Sequence, residues 1–310
     1  MRIIFFGSPS FALPSLEALA VSPYRPLAVV TKPDQPQGRG LRMQSTAVRQ
    51  RAESLGIPVH TPVSLADPHF QSILEELEPD LFVVVAFSIL PKSLLAIPRQ
   101  GSCNIHPSLL PAYRGAAPVE RALLAGAERT GVSLFWLEER VDRGPLISQE
   151  ETLIEPLETA GDLHWRLGRQ GAELLLRTLP QIEYGCCPQV QQDDSLASWA
   201  PKISEEDCRI RWEEPALVSH NRIRALNPTP GAYATWPGKG HTVRLKIWRA
   251  HPLEEQGLKP GEVSVVGDRL VVGCGSGTLS VELLQQEGRR PLEAPVFLRG
   301  AGLRQGVRLG

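Results

Sequence analysis

An asparagine and a histidine stand two residues apart in Gly101–Gly115, GSCNIHPSLLPAYRG, and their chemistry suits acyl transfer. Asn104 and His106 alternate with Cys103 and Ile105. At strand period the polar pair shares one side of a sheet and the apolar pair the other. Pro107 breaks the strand directly after them. Two polar side chains on one face of a strand end are costly to bury without a task or a partner. An imidazole, with an ordinary pKa of roughly 6.5, takes or gives a proton near neutrality. A third group, Asp142 in the turn Val141-Asp142-Arg143-Gly144, could orient that ring and stabilise its charged form. An amide N–H of Asn104 could hydrogen-bond an oxygen that gains negative charge, which is the need of a tetrahedral intermediate.

This set requires no nucleophile from the protein. Ser108 lies two residues past His106, and nothing in the sequence pairs it with the base. Cys103 points to the other face and reads as core. Direct attack by the substrate is therefore favoured over a covalent enzyme intermediate. Taken singly, each group has a plainer reading. Asn104 and His106 can be a structural pair, Asp142 a turn residue, and Arg39 and Arg42 part of a solvated loop.

The surrounding pattern supplies elements to hold these groups. Arg2–Phe6 is an apolar run that reads as a buried parallel strand, followed by a helix over 11–20 with Ser10 as its N-cap. Residues 26–32 form a second strand, and 33–44 a long polar loop carrying Arg39 and Arg42. Ser45 caps the next helix. DLFVVVAF, residues 80–87, reads as a central strand, and 102–106 as the strand of the polar pair. Arg114-Gly115 reads as a flexible turn. Strands over 130–137 and 146–150 and a helix over 159–179 complete a parallel-rich α/β pattern. Because that pattern is an open α/β sheet, a ligand belongs in the loop after a strand's carboxyl end.

Residues 185–204 change composition to Pro, Gln, Asp and Ser, with Trp199 as the one anchor, and read as a linker. Beyond them come a helix over 215–226, the turn-rich NPTPGAYATWPG, and short regularly spaced strands. That order suggests a small OB-like β-barrel. The expected architecture is thus a Rossmann-like domain over 1–184, a linker over 185–204, and an OB-like domain over 205–310.

No apolar run reaches the roughly 18 residues of a membrane span, and the start MRIIFFGSPSF does not read as a signal peptide. The five cysteines, at 103, 186, 187, 208 and 274, form no CxxC, which points to a reducing cytoplasm and no metal site. Charge is uneven. Residues 1–200 hold 17 basic and 22 acidic side chains, and residues 201–310 hold 16 and 12. A basic back half hints at a polyanionic partner.

NIHPSLLPAYRGAAPVERALLAG, followed by TGVSLFWLEERVDRGPLI, resembles the folate-dependent formyltransferases, which carry N-x-H-x-S-L-L-P and a later loop aspartate. RIIFFGSPSFALPSLEAL, VVTKPDQPQGRGLRM and IRALNPTPGAYATW are similar to the branch acting on methionyl initiator tRNA. The resemblance implies Asn104, His106 and Asp142 as a catalytic trio. It implies a 10-formyltetrahydrofolate site at Ser108, Leu109, Leu110 and Pro111, with Phe87 and Ile89. It implies tRNA contacts by Arg39 and Arg42, and a metal-free, cytoplasmic monomer. A sugar-nucleotide formyltransferase is the alternative. AFSILP stands where the family usually has AYGxILP, and Arg143 where a threonine is common.

Overall fold

Ile3, Ile4, Phe5 and Phe6 are apolar without alternation, so they can be buried on both sides only inside a sheet. The computed structural model describes residues 1–37, 42–237, 242–255, 257–301 and 303–310. In it these four form β1 (Ile3–Gly7) at the middle of a seven-stranded sheet, with no solvent exposure. The chain divides into two compact units. One holds Met1–Pro118, Arg129–Leu153 and His164–Ala200; the other holds Val119–Glu128, Ile154–Leu163 and Pro201–Gly310.

In the first unit β2 is Ala28–Val30, and a hairpin of β3 (Gln35–Gln37) and β4 (Arg42–Gln44) follows. β5 (Val59–His60), β6 (Leu81–Val85) and β7 (Ser102–His106) add to the main sheet. β8 (Arg114–Gly115) stands apart from it, and β9 (Arg129–Trp136) and β10 (Leu146–Leu153) rejoin it. The main sheet runs β10-β9-β7-β6-β1-β2-β5. Its pairs are parallel from β5 through β7 and antiparallel at β9 and β10. From β1 the chain goes one way to β2 and the other way to β6, so the order reverses at the carboxyl ends of β1 and β6. That reversal is where open α/β sheets hold ligands.

One face of the sheet presents Ile4, Phe6, Val30, Phe82 and Val84, packed with Phe70, Leu74, Leu90 and Leu94. Each such side chain, fully buried, contributes about 1.5–3 kcal/mol. The helix Pro68–Glu76 supplies Phe70 and Leu74, and its Asp67 N-cap accepts from the His69 amide.

Several expectations need correction. Thr46, not Ser45, caps the helix Ala47–Ser54, accepting from the Arg49 amide. Thr46 Oγ1 is also 2.7 Å from the buried Thr31 hydroxyl. Ser10 does not cap; it starts a short 3₁₀ turn whose capping position is Pro9. The polar loop over 33–44 contains the β3–β4 hairpin in its described part. Arg39 lies outside the described residues.

The largest correction concerns residues 111–117 and 190–200. Arg114-Gly115 is not a flexible turn. It is β8, paired in parallel with β11 (Trp199–Ala200). Among the described residues Arg114 is the largest side chain with no exposure. Its Nε and Nη2 donate to Gln192 Oε1 at 3.1 and 2.7 Å, and its Nη1 to Asp194 at 2.6 Å. The guanidinium holds the Asp194 carboxyl below its ordinary range. The Tyr113 amide donates to Ser198 Oγ, the Arg114 amide to the Ser198 carbonyl, and the Ala117 amide to the Ala200 carbonyl. Val190 exchanges two backbone bonds with Leu146. Trp199 is mostly exposed and stacks on Arg143 instead of anchoring a core.

In the second unit β12 (Ala232–Pro237) takes up part of the stretch expected to be turn-rich. β13 (Thr242–Leu253), β14 (Val263–Val266), β15 (Arg269–Gly273), β16 (Thr278–Gln286) and β17 (Leu292–Glu293) follow. They form an antiparallel sheet in the order β12-β13-β16-β15-β14, with β17 on β16. The basic excess of this half is not all open surface. Arg222 and Arg224 are buried in the helix Ala216–Ala225, and Arg211, Arg244 and Arg249 pair with acids.

Candidate active site

Strand register decides where the polar pair sits. Asn104 lies opposite Val84 on β6 and Phe135 on β9, and His106 lies opposite Ser133. Residues in register share a face, so Asn104 and His106 continue the face of Phe82 and Val84 at the strand's carboxyl end. Cys103 and Ile105 face the helix Ala160–Glu183, which approaches so closely that a Cβ on Gly171 would lie 2.7 Å from Ile105 Cγ2. Burial pushes the Cys103 thiol up to about 12, so it stays protonated and inert.

His106 is buried, and Asn104 is half-buried beside it on the same face. Its Nε2 is 2.9 Å from the Tyr113 carbonyl. A carbonyl only accepts, so in the neutral ring Nε2 carries the hydrogen and Nδ1 is the open nitrogen. Nδ1 lies 3.8 Å from Asp142 Oδ2, an ion-pair distance. That same oxygen accepts from the Gly115 amide at 2.9 Å. Strand β8 therefore holds the carboxylate against the imidazole. Gly115 has a φ of 125°, and a Cβ there would sit 2.7 Å from the Ala200 carbonyl oxygen, so no other residue fits without moving that amide. Phe135 meets the His106 ring edge-on at 6.5 Å.

The stretch Ser108–Pro111 is fixed from behind by Ser133, which the sequence did not single out. Ser133 Oγ donates to the Ser108 carbonyl at 2.6 Å and accepts from the Leu110 amide at 3.0 Å and Gln149 Nε2 at 2.8 Å. Gln149 also donates to the Leu110 carbonyl. The signal available was a lone hydroxyl on the inward side of the apolar strand GVSLF, in register with His106. Ser133→Ala is expected to strand the Leu110 amide and lower stability by about 1–3 kcal/mol. The melting temperature of the purified variant measures this, and an unchanged value would remove Ser133 from the scaffold.

The other expected residues are placed as follows. Ser108 has no exposure and donates its hydroxyl to the Ala112 carbonyl, so it is not available as a nucleophile. Leu110 is buried, while Leu109 and Pro111 are half-buried. Leu109 packs over Gly131, where a Cβ would come within 2.6 Å of its Cδ2. Phe87 is half-buried, its ring 5.6 Å from that of Phe6, and Ile89 is exposed. The backbone of Arg42 is in β4. The structure thus brings His106 and Asp142 together next to Asn104. It turns the Ser108 and Leu110 side chains into the scaffold. Among the described residues, no group of three His, Cys, Asp or Glu is placed to hold a metal ion, and no helix is long and apolar enough to cross a membrane.

An amide and an imidazole thus stand at the carboxyl end of β7 in an α/β sheet, with the carboxylate of the 141–144 turn beside the ring. The formyl transferase family matches residues 1–179, and its C-terminal domain matches 202–302, so the chain belongs to that family. It is 43% identical over its whole length to methionyl-tRNA formyltransferase of Pelotomaculum thermopropionicum, covering 99% of that protein. It is 46% identical to the enzyme of that name from Syntrophus aciditrophicus, again over 100% of this chain and 99% of the other. The fold is also that of an N-formyltransferase from Helicobacter canadensis, solved with folinic acid and dTDP-3-aminofucose. That likeness has a TM-score of 0.68 at 20% identity, over 91% of this chain and 98% of the other.

Proposed function

We propose that the chain transfers the formyl group of 10-formyltetrahydrofolate to the α-amine of methionyl initiator tRNA. The observation that carries this reading is full-length similarity to methionyl-tRNA formyltransferases, together with Asp142 lying 3.8 Å from His106. A free α-amine has a pKa of roughly 7.7–8.0, and the neighbouring ester lowers it, so the nucleophile needs little activation. The amine nitrogen bonds to the formyl carbon, and the carbonyl oxygen takes the charge. Asn104 donates to that oxygen, and His106 can do so once its Nδ1 has taken the amine's proton. Collapse then breaks the bond to the folate nitrogen. That nitrogen leaves with a proton given up by the amine, carried by His106 or a water beside it. Asp142 orients the ring and stabilises the imidazolium that forms in passing. Leu109, Pro111, Phe87 and Ile89 border the folate, with Ser108 and Leu110 shaping the backbone beneath it.

The test mixes the protein with 10-formyltetrahydrofolate and charged initiator tRNA and follows tetrahydrofolate release. Release that depends on the tRNA supports the proposal. Release that depends instead on an amino-sugar nucleotide, or that occurs into water alone, overturns it. Arg39 and Arg42 are assigned to the acceptor stem, in the cytoplasm where initiation takes place. Arg39→Ala is expected to raise KM for tRNA and leave folate affinity unchanged. It should also flatten the slope of log K against log salt by about one. A variant with both quantities unaltered would remove that residue from the tRNA contact.

A further inference from the structure

We infer that Gln192 is a positioning residue for the reaction, braced by Arg114, which sets the Asp142 carboxylate against His106. The inference rests on the catalytic reading of Asp142 above. It begins with a tight turn. Asp142 has a φ of 53°, in the left-handed region that few non-glycine residues enter, aspartate and asparagine more readily than most. Two sets of contacts impose that turn. On one side it is pressed on the end of β9: a Cβ on Gly144 would fall 1.8 Å from the Trp136 carbonyl oxygen, and the Trp136 amide bonds the Pro145 carbonyl. On the other side Gln192 Nε2 donates to the carbonyls of both Asp142 and Gly144, at 3.1 and 2.8 Å.

A single amide thus grips the turn on both sides of Arg143. The other end of the same amide is locked. Its Oε1 accepts two bonds from Arg114, whose third nitrogen is tied to Asp194. With the oxygen committed to a guanidinium, the amide cannot flip, because a flip would set its NH₂ against a cation. Arg114 has no exposure, so its charge must be met by partners, and Gln192 is one of the two that meet it. Arg114 is also the residue directly before Gly115, whose amide binds Asp142 Oδ2. The backbone of the aspartate and its carboxylate are therefore fixed by one continuous unit: Gln192 holds the first, and Gly115, carried on the β8–β11 pair, holds the second. Gln192 lies between the two stretches matched by the family, whereas Arg114, Asp142 and Gly144 lie inside the first.

The discriminating variant is Gln192→Glu. It keeps an oxygen for Arg114 and removes both donors, setting a carboxylate oxygen against two carbonyls. The expected result is kcat lower by about 10–100-fold, the scale of a small misplacement at a reacting centre, with KM for both substrates little changed. A second readout does not depend on activity. Exchange of the Gly115 amide hydrogen, followed by NMR, should quicken in Gln192→Glu and likewise in Asp142→Ala, while amides of the β9–β10 pair keep their rates. The loss in kcat should also not multiply with that of Asp142→Asn. Unchanged Gly115 exchange in Gln192→Glu, or losses that multiply, overturns the inference. If Asp142→Asn retains full turnover, it is the catalytic reading that fails, and the exchange arm still decides what Gln192 does. Should Gln192→Glu not fold, Gln192→Asn keeps the amide but withdraws it by one methylene and is read in the same way.

Discussion

Asn104→Ala is expected to lower the single-turnover rate of formyl transfer by about 10²–10³-fold, the loss of one oxyanion donor. Folate affinity should change little, because the interaction is made with the charge that develops during reaction and not with the resting carbonyl. The fold is expected to survive. The backbone of residue 104 still pairs with Val84 and Phe135, and the side chain is half-buried, not part of the apolar cluster. A purified variant with normal melting and near-normal turnover would exclude the oxyanion role. A variant whose loss appeared in folate binding alone would recast Asn104 as a ligand contact.

Asp142→Asn is the second large effect, an expected fall in turnover of about 10²–10⁴-fold, the range of positioned acid–base catalysis. The substitution is clean because asparagine tolerates the left-handed backbone at this position. Its amide oxygen can still accept from Gly115. What disappears is the negative charge 3.8 Å from the open nitrogen of His106. The imidazolium that forms as the proton moves then has no counter-charge. Rates measured on folded protein with both substrates saturating test this directly. Turnover within about threefold of the parent would show that Asp142 is a structural turn residue and no more.

Much of the first unit could be read from the chain because its signals are local. Continuous apolar runs announced β1 and β6, and alternation around Asn104 and His106 placed both on one face. The proximity of Asp142 was not legible from spacing; it came from resemblance, since the 35 positions between His106 and Asp142 give no geometry. Arg114 misled for a physical reason. A charged residue next to glycine reads as a solvated turn, and only acceptors 78 and 80 residues away make its burial possible. Residues 185–204 misled in the opposite sense. Their Gln, Asp and Ser content signals a linker, yet Gln192, Asp194 and Ser198 spend that polarity on the backbone and guanidinium of 113–115 and 142–144. In NPTPGAYATW the prolines and glycine hid a strand that exists because β13 lies beside it.

The pairing of β8 with β11 bears on how the chain is made. A nascent polypeptide that has emerged only as far as residue 184 contains every strand of the main sheet, but it holds a guanidinium at position 114 with neither of its acceptors. An unmatched buried cation of this sort costs about 3–5 kcal/mol. The ribosome must therefore release roughly the next ten to sixteen residues before this half can close. A protein engaged with the first step of translation would thus complete its own reactive centre only after about two thirds of its synthesis.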